Sequence, residues 1–231
     1  IEEIEHVFNN LNKNLKIGFD YKNTSYFFYD LALNNNLQPS NLQNPCLIPK
    51  ATKNETELEG SRKAHLRDGV SITKFLYWLK NHNSVEEENE ISVANKLLSF
   101  RKSNEFFHSV SFDSISAIGK NAALPHYRAN KNNPVSLKNN SIYLSDSGGQ
   151  YYDGTTDITR TIILGEPSSE QIDRFSRVLK GHINLATHIF HRGTKGTDID
   201  YLARKSLQDI NCDYDHGTGH GIGSFLSVHE A

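Results

Sequence analysis

Two aspartates of the chain lie eleven positions apart in a glycine-containing segment flanked by apolar runs. They are Asp146 and Asp157, with Gly148-Gly149 and Asp153-Gly154 between them. Two antiparallel strands would bring both carboxylates side by side, and Gly148-Gly149 would permit the reversal because glycine tolerates positive φ. Carboxylates that close repel one another unless a cation lies between them. The segment therefore predicts a hairpin with a cation site, and Asp153 is assigned to a turn. A purely structural hairpin is the alternative, since aspartate and glycine are common in turns.

A glycine-rich run with two histidines follows later in the chain. It reads His216-Gly217-Thr218-Gly219-His220-Gly221-Ile222-Gly223, and His229 comes shortly after it. So much glycine argues against a helix or a central strand, and the run has neither the dinucleotide-loop spacing nor the phosphate-loop lysine. Carboxylates joined by an imidazole are a ligand set of hydrolytic metal sites. Surface histidines in a loop remain the alternative.

Composition excludes some partners and suggests a compartment. The net charge of −2 gives no electrostatic footprint for nucleic acid, and no apolar run approaches the ~20 residues that cross a bilayer. Cys46 and Cys212 are predicted to be free thiols, which indicates the cytoplasm, with a hydrolytic vacuole left open. Because the chain starts at Ile1, contains no methionine and stops directly after a motif, it is expected to be an internal fragment.

The periodicity of apolar residues predicts an α+β chain. Predicted helices cover 52–82, with a capping box starting at Thr52-Lys53-Asn54-Glu55, and then 91–107, 168–190 and 197–209. Predicted strands cover 16–20, 110–118, 142–144 and 158–164, whereas 26–31 is open between strand and helix. The predicted domains are 1–36, a remnant of an upstream non-catalytic domain; 37–49, a proline-containing linker; and 50–231, a catalytic domain without its C-terminal part.

Residues 46–231 resemble the catalytic domain of aminopeptidase P, the Xaa-Pro aminopeptidase of the pita-bread metallopeptidases. The resemblance depends on three motifs: Asp146-Ser147-Gly148 through Thr161, His216 through Glu230, and Ile118 through Tyr127. It implies a pita-bread (creatinase/aminopeptidase-like) fold, here truncated and preceded by the tail of an α/β domain.

The resemblance also implies roles for single residues. Asp146, Asp157 and His220 would be metal ligands for two divalent ions, of which Mn²⁺ is expected and Zn²⁺ or Co²⁺ is left open. His126, His216 and His229 would contact substrate, and His229 and His216 would be catalytic. Two further ligands, both glutamates, are expected beyond residue 231.

The implied function is removal of the N-terminal residue from peptides with proline in second position, by a metallo-aminopeptidase that forms a homodimer. A prolidase that cleaves X-Pro dipeptides is one alternative. A catalytically inactive pita-bread binding module is another.

Overall fold

The chain divides into two units, Ile1–Lys53 and Asn54–Ala231, in a computed structural model that describes residues 3–230. The first unit contains α1 (Ile4–Asn9), β1 (Lys16–Phe19), α2 (Tyr26–Asn34), β2 (Gln38–Asn41) and α3 (Leu47–Ala51). β1 and β2 pair in parallel, which gives a β-α-β arrangement with α2 as the connection. The segment 26–31 is helical because Ser25 caps it and Ala32 is buried with Phe8 and Phe19.

The predicted linker at 37–49 contains part of this first unit. Leu37 belongs to its core, and Pro39 of β2 lies opposite Ile17 of β1. Proline fits here because β2 is an edge strand of a two-stranded sheet. That the unit is a remnant of an upstream non-catalytic domain stays a prediction.

The second unit combines helices with three small antiparallel sheets, which confirms the α+β class. Its helices are α4 (Glu55–Lys80), α5 (Glu90–Lys102), α6 (Ser169–Ala186), α7 (Gly196–Ile199) and α8 (Tyr201–Gln208), with 3-10 helices at Val85–Glu87 and Gly119–Ala123. Its strands are β3 (Phe107–Val110), β4 (Ile115–Ile118), β5 (Ser141–Ser147), β6 (Gly149–Tyr151), β7 (Gly154–Thr155), β8 (Ile158–Leu164), β9 (Gly221–Ile222) and β10 (His229–Glu230). The sheets are ordered β4-β5-β8, β3-β6-β7 and β10-β9.

The long helix α4 begins at Glu55, three residues later than the predicted start at 52. Its N-cap is Asn54, whose side chain accepts from the Glu57 backbone N–H at 3.0 Å while the Glu57 carboxylate accepts from the Asn54 N–H at 2.9 Å. The capping box therefore starts at Asn54 and not at Thr52.

The buried face of α4 is apolar near its C-terminal end and polar in the middle of the helix, at Asp68 and Ser71. Phe75 and Leu79 belong to the core formed with α5 and β5, whereas Leu66 is 75% exposed. In the middle of the helix, Asp68 is fully buried, and nearer the N-terminus Gly60 packs against the backbone of Asp153. These parts of α4 therefore contact the hairpin of the two aspartates, at Asp68 through a polar side chain.

Two other predicted elements have different bounds. The helix predicted at 91–107 ends at Lys102, because Phe107–Val110 pairs with β6 as a strand. The strand predicted at 110–118 is two strands, β3 and β4, which belong to different sheets. No helix within residues 3–230 is both long and apolar enough to cross a bilayer.

Candidate metal centre

Asp146 and Asp157 lie side by side at one end of the β5–β8 ladder. Asp146 is opposite Thr159, and Ser147 is opposite Ile158, so Asp157 directly precedes β8. The two carboxyl groups are close enough for the charge of Asp146 to raise the pKa of Asp157. The structure therefore brings together the two aspartates that the sequence placed on one hairpin. A cation shared by both carboxylates requires this proximity.

The turn predicted at Gly148-Gly149 is wrong. The chain continues through these glycines into β6, reverses at Tyr152-Asp153 and returns as β7. Positive φ among the described glycines occurs elsewhere, at Gly119, Gly165 and Gly193. Gly148 is required for a different reason: a Cβ there would lie 1.8 Å from the Thr156 carbonyl oxygen. Asp153 lies on the true turn, as predicted, and accepts a hydrogen bond from Arg67 at 3.0 Å.

The electrostatics of the aspartate pair favour a bound positive charge. Burial raises the pKa of Asp157 above its usual value, and the neighbouring charge of Asp146 raises it further, while His220 and His229 act in the opposite direction. Asp146 Oδ1 is buried and has no hydrogen-bond partner. A buried carboxylate oxygen without a donor is costly, so this atom is available to a cation.

The glycine-histidine run approaches the aspartates from the other side. His220 Nε2 lies 3.3 Å from Asp157 Oδ2. The short strands β9 and β10 pair antiparallel, with His229 opposite Ile222, and this pairing brings the rings of His220 and His229 to a centroid distance of 4.3 Å in an edge-to-face arrangement. Both histidines therefore lie next to the aspartate pair.

Arg204 of α8 holds the start of this run. Its guanidinium donates to the backbone carbonyls of Tyr214 and His216 at 2.6 and 2.8 Å and pairs with Asp200 and Asp213. It also lies over the Tyr214 ring, 4.0 Å from its centroid. The exposed His216 ring packs on the Tyr214 ring at 4.7 Å. Arg204 thus fixes the backbone that carries His216.

His126 lies on an exposed loop and has a positive φ of 56°. The loop is attached to the interior by Glu90, a fully buried carboxylate at the start of α5. Glu90 accepts from the Tyr127 hydroxyl at 2.8 Å and from the Asn121 amide at 3.0 Å. Burial and this hydrogen bond raise the pKa of Tyr127 to about 12, so its hydroxyl stays protonated and can donate. Glu90 therefore positions the residue next to His126.

One cavity joins all the predicted site residues. It measures about 540 Å³ and is lined by Asp146, Asp157, His126, His216, His220 and His229, among others. His229 and His220 lie at the aspartate pair, whereas no direct contact joins His126 or His216 to that pair in the part of the chain described.

The three predicted ligands form two contacts instead of a closed ligand sphere. Asp146 contacts Asp157, and Asp157 contacts His220. Within residues 3–230, no three His, Cys, Asp or Glu side chains converge closely enough to hold an ion by themselves. The donors present are two carboxylates and an imidazole, and one carboxylate oxygen, Asp146 Oδ1, is buried without a partner. This donor set fits part of a centre for hard divalent cations. Such a donor set is typical of metal-dependent hydrolases.

Sequence reasoning missed the charged residues behind the site. Asp68 and Arg101 form a fully buried ion pair, with Arg101 Nε 2.7 Å from Asp68 Oδ1. The sequence does indicate that these two side chains are buried. Asp68 lies one helical turn after the buried Ala64, and Arg101 lies one helical turn after the buried Leu97. A charge in the core register of a helix indicates a buried partner.

Comparison with known proteins identifies the family. The profile of metallopeptidase family M24 matches residues 59–231, and the chain belongs to this family. The chain is 45% identical over 202 residues to the probable Xaa-Pro aminopeptidase P of Sordaria macrospora, an alignment that covers 87% of this chain and 33% of that protein. It therefore spans about a third of the length of the curated relatives it matches.

Solved structures agree with the pita-bread fold. The X-prolyl aminopeptidase of Caenorhabditis elegans, described as a cytosolic enzyme with a di-nuclear active site, has a TM-score of 0.87 and 34% identity over 100% of this chain and 38% of its own. The Xaa-Pro dipeptidase of Bacillus anthracis has a TM-score of 0.77 and 27% identity over 94% of this chain and 59% of its own. The predicted fold and family resemblance are confirmed.

Proposed function

We propose that this chain is part of a dimetal Xaa-Pro aminopeptidase, which removes the N-terminal residue from peptides with proline in second position. The observation that carries the proposal is that Asp146, Asp157 and His220 lie together on the wall of one cavity, with His220 Nε2 3.3 Å from Asp157 Oδ2. Support comes from the similarity to Xaa-Pro aminopeptidases and from the family resemblance of the motifs that contain the proposed ligands.

Two divalent ions are proposed, held in part by Asp146, Asp157 and His220. The di-nuclear site of the Caenorhabditis elegans relative supports the number. Mn²⁺ is proposed as their identity because carboxylate-rich ligation suits a hard ion. In metal-dependent hydrolases, divalent ions lower the pKa of bound water and polarise the carbonyl of the substrate.

The histidines are proposed to act on the peptide itself. His229 lies beside His220 and would donate a hydrogen bond to the carbonyl oxygen of the scissile bond, where negative charge develops. His216 would assist from the same cavity, and its backbone is fixed by Arg204. His126, on the facing loop, would contact the substrate.

Proline in second position requires an unusual site. The X-Pro bond is a tertiary amide without an N–H, and the ring fixes φ. A peptidase that binds its substrate as an extended strand would lose a backbone hydrogen bond there. A cavity of about 540 Å³ with His126 and His216 on its walls is large enough to take the ring and the residue before it.

A homodimer in the cytoplasm is the proposed setting. Homodimerisation follows from the family resemblance alone. The cytoplasm is favoured because the Caenorhabditis elegans relative is described as cytosolic, and the described cysteines are free thiols. The proposed partners are peptides with an X-Pro N-terminus.

The test uses the full-length protein that contains this chain. Asp157→Ala and His220→Ala should each abolish cleavage of X-Pro-Y peptides and lower Mn²⁺ binding in calorimetry, because each removes a proposed ligand. His191→Ala is the matched control, since His191 is exposed and outside the cavity. Retained activity and metal binding in both ligand variants would overturn the assignment.

A prolidase is the second candidate, and the Xaa-Pro dipeptidase of Bacillus anthracis favours it. The two enzymes differ in the length of the peptide they accept. Faster hydrolysis of X-Pro-Y than of X-Pro supports the aminopeptidase, and the reverse order supports the prolidase. No hydrolysis of either, with or without added Mn²⁺, would indicate an inactive binding module.

A further inference from the structure

A buried ion pair lies directly behind the two aspartates of the proposed metal centre. Asp68 of α4 and Arg101 of α5 are 0% and 1% exposed, and their side chains form two hydrogen bonds, at 2.7 and 3.0 Å. Burying two charges costs free energy that their mutual attraction does not always recover. Stability alone therefore does not explain why this chain has a buried ion pair here.

Each member of the pair also binds the backbone or side chain next to a proposed ligand. Arg101 Nη2 donates to the Ser147 carbonyl at 3.2 Å, one residue after Asp146. The Thr156 hydroxyl donates to Asp68 Oδ2 at 2.6 Å, one residue before Asp157. The same threonine oxygen accepts from the Gly149 N–H at 2.8 Å.

The two contacts attach both sides of the hairpin to one rigid group. Thr156 is fully buried, and the Tyr151 hydroxyl adds a hydrogen bond to Asp68 Oδ1 at 3.1 Å. The carboxylates in front repel each other and would move apart if their strands were free. The pair behind them opposes that movement, because it binds the chain at Ser147 and at Thr156, each one residue from a proposed ligand.

We propose that Asp68, Arg101 and Thr156 are positioning residues that set the spacing of Asp146 and Asp157 before metal binds. The inference rests on the proposed function, since it assumes that these aspartates are ligands. Groups that orient metal ligands from behind typically contribute about 10–100-fold to metal affinity. The unit therefore adjusts metal affinity in addition to stabilising the fold.

Thr156→Val tests the proposal with little change in shape, because valine replaces the hydroxyl by a methyl group. Thr156→Ser keeps the hydroxyl. Asp153→Asn is the matched control: it weakens the ion pair with Arg67 on the same hairpin, but at the turn and away from the ligands. All variants are made in the full-length protein and stripped of metal.

Mn²⁺ affinity is measured by calorimetry, and the melting temperature of the metal-free protein is measured alongside. We expect Thr156→Val to lose about 10–100-fold in Mn²⁺ affinity, whereas Thr156→Ser stays near the parent. Asp153→Asn should lower the melting temperature and leave Mn²⁺ affinity unchanged. If Thr156 and Asp153 only stabilised the fold, the two variants would not differ in Mn²⁺ affinity in this way.

The outcomes separate the two proposals. Unchanged Mn²⁺ affinity in Thr156→Val, with a parent protein that binds Mn²⁺, overturns the positioning role alone. Equal losses of affinity in Thr156→Val and Asp153→Asn also overturn it, because the effect would then follow stability. A parent protein that binds no divalent ion overturns the proposed function and this inference with it.

Discussion

The hairpin and the glycine-histidine run contribute proposed ligands to the same cavity, but they are held in different ways. The hairpin strands bind the buried pair of Asp68 and Arg101 and share a continuous ladder. The run has the two-residue strands β9 and β10 and the clamp of Arg204, and His220 is exposed. The carboxylates are therefore fixed by the fold, whereas the proposed histidine ligand lies on a segment that metal binding is expected to order.

Breaking the buried pair should give the largest effect. Asp68→Ala leaves the Arg101 guanidinium buried without a counter-charge, and such changes cost about 3–5 kcal/mol. We expect a loss of this size in the free energy of unfolding, measured by urea denaturation of the metal-free protein. A loss no larger than that of an average surface substitution would mean that the hairpin is not held by this pair.

Adding one methyl group at a glycine compares the two regions directly. A Cβ at Gly148 would meet the Thr156 carbonyl at 1.8 Å, whereas a Cβ at Gly219 has nothing within 4 Å. Gly148→Ala should cost about 1–3 kcal/mol through overpacking. Gly219→Ala should change stability by about 0.5 kcal/mol or less. Equal effects on thermal unfolding would contradict the difference in packing between the regions.

Removing the clamp should affect the run and spare the hairpin. Arg204→Ala loses the hydrogen bonds to the carbonyls of Tyr214 and His216. Hydrogen-exchange mass spectrometry should then show faster exchange at residues 214–223 and unchanged exchange in β5 and β8. Faster exchange throughout both regions would show that they form one cooperative unit.

The smallest effect is expected at the turn of the hairpin. The hydrogen bond from Arg67 lowers the pKa of Asp153 below its ordinary value of 3.8. The ion pair therefore stabilises the fold fully above pH 3.8, and its effect is lost as the pH falls through the lowered pKa. Because both side chains are partly exposed, the stability difference between parent and Asp153→Asn should be less than about 1 kcal/mol at pH 7. It should begin to shrink as the pH falls below 3.8 and disappear once the pH is below the lowered pKa of Asp153; a difference that grows on acidification would refute the assignment.

The sequence predicted the proximity of the aspartates because two apolar runs separated by turn residues can pair in few ways. It placed the reversal wrongly at Gly148-Gly149, since glycine that allows a positive φ and glycine that allows close backbone approach are alike in a sequence. The assignment of Asp153 to a turn followed from Asp153-Gly154 alone, and the structure agrees.

What the sequence did not reveal depends on distant contacts. Asp68 and Thr156 are far apart along the chain, and nothing local indicates that one accepts a hydrogen bond from the other. Leu66 and Val70 of α4 are apolar but exposed, whereas the charged Asp68 between them is buried against the hairpin. The roles of the histidines in metal binding and substrate contact were inferred from the resemblance of their motifs to the family, and they remain predictions.

A crystal structure of the full-length protein with Mn²⁺, measured at wavelengths on both sides of the manganese absorption edge, tests the central claim most directly. We expect two anomalous peaks in the cavity, both within bonding distance of Asp146 and Asp157 oxygens, with His220 Nε2 bound to one of them. Manganese peaks that avoid these three side chains, or their absence from the cavity at saturating Mn²⁺, would contradict the claim.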